Sequence, residues 1–214
     1  MVNKQVRVSM TASAGPAKRT QEQRRQTAER RILHAAIRII SRRGLGGLTL
    51  AAAGEDAGYS RGIVSHHFGK KDDLLIAVVN YVIDRFRTTL SDTAATEQGL
   101  PTLLRMVDAY LEGVERFSVS ARAFHLILTE GMNSPTLTPA VTAANEASLR
   151  NIERYLRDAQ GLGQVRGDVD PQSEAVLILG GLRGVLAQWL IDDSIDLPRI
   201  RAAFIDTLKR SLRP

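Results

Sequence analysis

The sequence predicts an all-α protein in two parts, a three-helix unit followed by a larger helical domain. Three observations carry that reading. From Thr20 onward apolar residues recur at the spacing of one helix face, and no segment shows the sustained alternation of a half-buried strand. Residues 49–71, TLAAAGEDAGYSRGIVSHHFGKK, read as two short helices joined by a tight glycine turn. Charge also divides the chain at this point: residues 1–71 carry 14 Lys or Arg against 4 Asp or Glu, whereas 72–214 carry 15 against 19. The net charge of +6 therefore hides a basic N-terminal third attached to a mildly acidic remainder.

Composition sets the outer limits. At 214 residues, 43% apolar and 24% charged, the chain has the profile of a globular protein long enough to bury a core. It contains no cysteine, which excludes disulfides and thiolate metal sites and fits a reducing, cytoplasmic setting. The most apolar run, Ala175 to Ile191, is interrupted by Arg183 and Gln188 and is expected to be a core helix, not a membrane span. The N-terminus lacks the apolar segment of a secretory signal.

Residues 1–19 mix Ser, Ala, Gly, Pro and Lys without periodicity and are expected to form a flexible basic arm. From Thr20 an amphipathic helix places Ala28, Ile32, Ala35, Ala36, Ile39 and Ile40 on one stripe, and Gly44 ends it. His34 lies beside this stripe and reads as a packing residue, since no second metal-type side chain has the right spacing.

Thr49 is placed to cap the next helix, whose apolar side is Leu50, Ala53 and Ala57, and Gly58 supplies the left-handed conformation that stops it. Ser60 then caps a second short helix. Val64 and Phe68 turn inward at i, i+4, which leaves Arg61, Gly62, Ser65, His66 and part of His67 outside, just before Lys70 and Lys71. A small, polar and basic outer face suits the major groove of DNA, and the surrounding positive charge suits its phosphates. Adjacent His66 and His67 diverge by about 100° around a helix, so they make no metal site, and His67 reads equally well as packing against the first helix.

These residues carry a family resemblance. The pattern TxxxxAxxAGxSxGxxxxxFxxKxxL, matched at Thr49, Ala57, Gly58, Ser60, Gly62, Phe68, Lys71 and Leu74, is similar to that of the TetR family of bacterial repressors. The run SRGIVSHHF most resembles the betaine-biosynthesis, choline-responsive subgroup. Departures fall at Ala53 and Gly54, where a larger aliphatic and an alanine are usual, and at Ser65, where tyrosine is common. Gly54 is expected to cost its helix up to about 1 kcal/mol relative to alanine.

The resemblance implies a helix-turn-helix DNA-binding domain over 20–71 and a helical effector-binding and dimerisation domain over 72–214. It implies a double-stranded DNA operator, a small-molecule effector, a homodimer formed by the last two helices (about 172–191 and 197–212), and no cofactor. Arg61 and Gly62 would sit at the groove-facing start of the reading helix, Arg61 pairing with a guanine, while Ser65, His66 and His67 share base and phosphate contacts. Thr49, Ser60 and Lys71 would complete the DNA surface, with Thr49 and Lys71 on phosphates.

Beyond Asp72 and Asp73, which place acids at the positive end of a helix, a continuous helix with Leu75, Val78, Val79, Val82 and Phe86 inward forms a lever between the two parts. Further helical patterns span about 100–117, 121–131 and 137–160, then the apolar run and a final helix opened by Asp196 and Pro198. The 175–191 helix is apolar nearly all round, which predicts burial on several sides. An effector cavity would draw on Phe86, Met106, Tyr110, Phe117, Phe124, Met132, Tyr155 and Trp189, with His125, Glu130 and Gln188 as polar groups. Two other readings stay open, a helical ligand-binding protein or enzyme with a vestigial helix-turn-helix, and a nonspecific DNA binder. The sequence shows no nucleophile and base pair, phosphate loop or metal cluster in favour of the first.

Overall fold

The computed structural model describes residues 20–91 and 98–214, with the backbone alone for 86–91. The arm expected over 1–19 and the side chain of Phe86 lie outside the described residues. Nine α-helices account for the described chain: α1 (Gln21–Arg43), α2 (Leu50–Ala57), α3 (Arg61–Phe68), α4 (Lys71–Ser91), α5 (Leu100–Arg116), α6 (Ser118–Glu130), α7 (Thr138–Gly161), α8 (Pro171–Ile191) and α9 (Leu197–Leu212). No strand occurs among the described residues. The GLGGLT loop adds a single 3-10 turn at Leu45–Gly47.

Local chemistry explains where the helices begin. Thr20 and Gln23 form a reciprocal capping box at the head of α1. Thr49, Ser60, Asp170 and Asp196 each accept a backbone N–H from the residue three positions on, satisfying donors that the first turn leaves orphaned. Gly58 ends α2 at φ 78°, ψ 32°, the left-handed stop its position predicted.

One apolar cluster joins the first part to the second. Ile32, Ala36, Ile39 and Ile40 of α1 pack with Ala53 of α2, Val64 of α3, and Leu74, Leu75 and Val78 of α4, and the same cluster continues into Ala123 and Ile127 of α6. Leu50, Ala57 and Phe68 are partly buried at its edge. Arg122 of α6 donates to the Ser41 carbonyl of α1 at 3.1 Å. A second cluster packs α5, α7, α8 and α9 around Leu103, Leu111, Ile152, Leu156, Ile178 and Leu182. Arg201 of α9 pairs with Asp108 of α5 at 3.2 Å on its rim.

Helix α8 departs from its expectation in its burial. By length and composition alone it is apolar enough to cross a membrane even with Arg183 and Gln188 inside it, at mean hydropathy 1.5 over an 18-residue window, a test that a core helix passes as well. It is buried on one side only within the single chain. Ala175, Ile178, Leu179, Leu182 and Leu186 face inward, while Val176, Leu177 and Ile191 are exposed at 54%, 67% and 80%. Gly181 lets α9 approach closely, because a Cβ there would meet the Phe204 ring at 2.8 Å.

Candidate nucleic-acid interface and effector cavity

The two short helices hold their angle through a close backbone approach. Gly54 is fully enclosed, and a Cβ built there would lie 2.7 Å from the Tyr59 carbonyl oxygen and 3.2 Å from the Val64 side chain. The Gly54 carbonyl in turn accepts the Tyr59 N–H at 2.7 Å. The departure from alanine at this position is therefore a packing requirement, which outweighs the propensity cost expected from the sequence. Arg38 of α1 clasps Asp56 of α2 through its Nε at 3.0 Å, fixing the supporting helix against the pair.

Arg61, Gly62, Ser65 and His66 are exposed together along α3, and Thr49, Ser60 and Lys70 are exposed near them. Ser60 and Thr49 use their oxygens as cap acceptors, so each hydroxyl proton remains to be donated elsewhere. Ser65 donates to the Gly69 carbonyl at 3.2 Å. His67 turns inward instead. Its side chain is 11% exposed and its Nδ1 lies 3.3 Å from Glu29 of α1, the packing alternative that the sequence left open. Burial pulls the Glu29 carboxyl up, but hydrogen bonds and charge from Arg25 and His67 leave it below the usual carboxylate range. Lys71 is half-buried, and its ammonium donates to the Leu45 carbonyl at 2.7 Å, tying the start of α4 to the turn that follows α1. Ile63, which the sequence reading passed over, is 40% exposed on α3. Its signal was legible, since it lies off the Val64 and Phe68 stripe.

The second site is a cavity of about 180 Å³ between α4, α5, α6, α7 and α8. Met106, Tyr110, Phe117, Phe124 and Tyr155 line it as expected. Trp189 does not; it packs beside Val114, Leu186 and Leu197. Met132 is 75% exposed, and Glu130 and Gln188 face outward. His125 is half-buried outside the lining, its pKa lowered by burial and by the charge of Arg183. The sequence reading missed the main polar groups, Arg183, Arg85, Ser148 and Asn151. Arg183 was visible as the one cation inside the apolar run of α8.

Arg183 is half-buried and donates from Nη1 to Asn145 Oδ1 at 2.7 Å. Burial holds its pKa below the ordinary arginine value, with Tyr110 offsetting part of that. Burial likewise pushes the Tyr110 phenol up to about 12, against the pull of Arg183, so it is neutral at physiological pH. Among the described residues no group of His, Asp and Glu is arranged to hold a metal ion.

A basic helix-turn-helix joined through a shared core to a largely apolar cavity defines a one-component regulator, with DNA surface and sensor in one chain. Comparison with known proteins agrees. Residues 32–78 match the model of the bacterial regulatory proteins of the tetR family, and residues 101–213 match that of the BetI-type transcriptional repressor C-terminal domain. The chain belongs to the TetR family and is a ligand-responsive, DNA-binding transcriptional repressor with BetI-like similarity. A Burkholderia thailandensis relative, the helix-turn-helix-type transcriptional regulator BetI, is 32% identical over 187 residues, covering 86% of this chain and 94% of the relative. A TetR-family regulator from a Rhodococcus species shares the fold at a TM-score of 0.79 and 23% identity, covering 87% of this chain and 99% of that one. A transcriptional regulator from Saccharomonospora viridis, solved in complex with choline, does so at 0.78 and 21%, with 88% and 99% covered.

Proposed function

We propose that two copies of this chain, joined through α8 and α9, present paired α3 helices to a palindromic operator and release it when a small molecule enters the cavity. The observation that carries the dimer is the outward face of α8. Leu177, Gly180, Gly184 and Ile191 recur there at helical spacing and are all exposed, next to a shallow apolar groove of α9 formed by Ile200, Ala203 and Phe204. Apolar side chains and outward glycines on one stripe suit a second helix packed closely against it, and a two-fold pairing builds a four-helix interface. It also accounts for a helix that is apolar all round yet half uncovered in one chain. Two reading helices about 34 Å apart then meet successive major grooves on one face of the duplex.

Within each half-site, Arg61 offers a bidentate partner for guanine, Gly62 permits close approach, and Ile63 offers an apolar contact for a thymine methyl. Ser65 and His66 extend the base-facing row. Thr49, Ser60 and Lys71 serve phosphates, Lys71 with the two ammonium protons left free by Leu45. His67 supports α3 from behind, held by Glu29. The protein carries out no chemistry of its own and acts in the cytoplasm, where its DNA lies.

Selection from random duplex DNA tests this reading. A palindrome with half-sites one turn apart is the expected product, and failure of folded protein to enrich any palindrome at modest salt would sink the proposal. Arg61→Ala is expected to relax preference at one base pair by about 1–3 kcal/mol, whereas Lys71→Ala weakens all sequences alike and reduces the salt slope by about one.

A further inference from the structure

We propose that the cavity selects a small monocarboxylate with an apolar body, held by Arg183, and rejects quaternary ammonium compounds. The inference rests on the reading of this cavity as the effector site. It turns on which charges already occupy the cavity walls.

Two guanidinium groups, Arg85 and Arg183, line the cavity, and among the described residues no aspartate or glutamate does. Among the described residues Arg183 is in no ion pair; it donates to one neutral partner, the Asn145 amide oxygen, and lines the cavity together with neutral Tyr110. A half-buried guanidinium beside a neutral amide lacks the counter-ion that would offset its desolvation. A carboxylate supplies that charge and matches the planar fork with two parallel hydrogen bonds. Ser148 and Asn151 of α7 add neutral polar groups to the same lining.

The aromatic walls would seem to suit a cation, but the protein's own arginines already cover them. Arg85 and Arg116 each lie 5.3 Å from the Phe117 ring centre, and Arg154 lies 4.5 Å from that of Tyr155. A quaternary ammonium ion would enter beside the like charge of Arg183, and none of the described lining residues is a carboxylate to balance it. Size narrows the class further. The volume of about 180 Å³ is a little above the 150 Å³ that accommodates benzene, so a ligand of roughly eight to ten heavy atoms fits. Leu179, Leu182, Leu186 and Val114 receive its apolar part.

The test uses the full-length protein and four probes: benzoate, hexanoate, the neutral isostere benzamide, and choline. Calorimetry and thermal shift should show binding of at least one of the two acids, with benzamide and choline at least about tenfold weaker. Arg183→Met should weaken the bound acid by about 10- to 100-fold, the loss of a charge-assisted hydrogen-bonded pair, while Arg183→Lys recovers part of it. Binding of choline in preference to both acids overturns the proposal, as does indifference of the wild-type protein to both acids, or to the Arg183 change. The wild-type comparison stands even if a variant fails to fold. Operator binding is measured separately in the same samples: intact DNA binding without acid binding refutes only the ligand class, and acid binding without an operator refutes the repressor reading of the cavity.

Discussion

At the scale of single residues, Gly54 decides more than its helix propensity suggests. The Tyr59 carbonyl occupies the space a Cβ would take, and that carbonyl belongs to the turn that sets α3 against α2. Gly54→Ala should therefore destabilise the protein by about 1–3 kcal/mol despite a better helix former, as overpacked cores do. Chemical denaturation of the purified variant measures it, and a gain in stability would show that the turn yields instead. The sequence marked this position as unusual and showed only its propensity cost, because propensity is local and the clash comes from a residue five positions on. His67 has the same lesson. Spacing placed it at the boundary of the outer face, and only the position of Glu29, 38 residues earlier, shows which way it turns.

At the scale of elements, α1 and α4 are joined by a titratable contact. His34 Nε2 lies 2.5 Å from the Tyr81 hydroxyl, and the rings meet edge to face. Burial lowers the His34 pKa, with the charges of Arg85, Arg38 and Arg30 adding to it. A histidine whose folded pKa is depressed binds its proton more readily when unfolded, so stability is complete above about pH 6.5 and falls as the pH drops from there toward the lower folded value. The carboxyl of Glu29, also depressed, extends the loss further into acid. The melting temperature should decline between pH 7 and 5, and His34→Gln should flatten the upper part of that decline. An unchanged profile in the variant would remove His34 as its source. Every helix was legible as an element, since caps and stripes are local chemistry; their ends differ from expectation by a few residues, as at 121–131 against α6 starting at Ser118.

At the scale of the whole molecule, the pattern that defined α8 was read correctly as apolar and incompletely as buried. Periodicity reports that a face avoids water, not whether its cover comes from the same chain. Placing a charge on the outward stripe, Leu177→Arg, should therefore leave the fold intact and shift the protein to a monomer in sedimentation, with operator affinity falling at least about tenfold because one reading helix alone engages a half-site. A variant that stays dimeric would place the interface elsewhere. The cavity was less legible than the DNA surface. Its lining comes from five helices whose relative rotation no single stripe encodes, and Arg183 was visible in the sequence only as a break in an apolar run, not as a cavity residue.

Helix α6 has a different role from the lever that the sequence assigned to α4. Ser120, Ala121 and Phe124 face the cavity, while Ala123 and Ile127 pack in the core of α1 and Arg122 holds the Ser41 carbonyl. Cavity and DNA support are thus separated by the thickness of one helix, about 10 Å. In genetic terms, mutants locked in repression, which still bind operator and inducer but ignore the second, should gather on one side of thirteen consecutive codons.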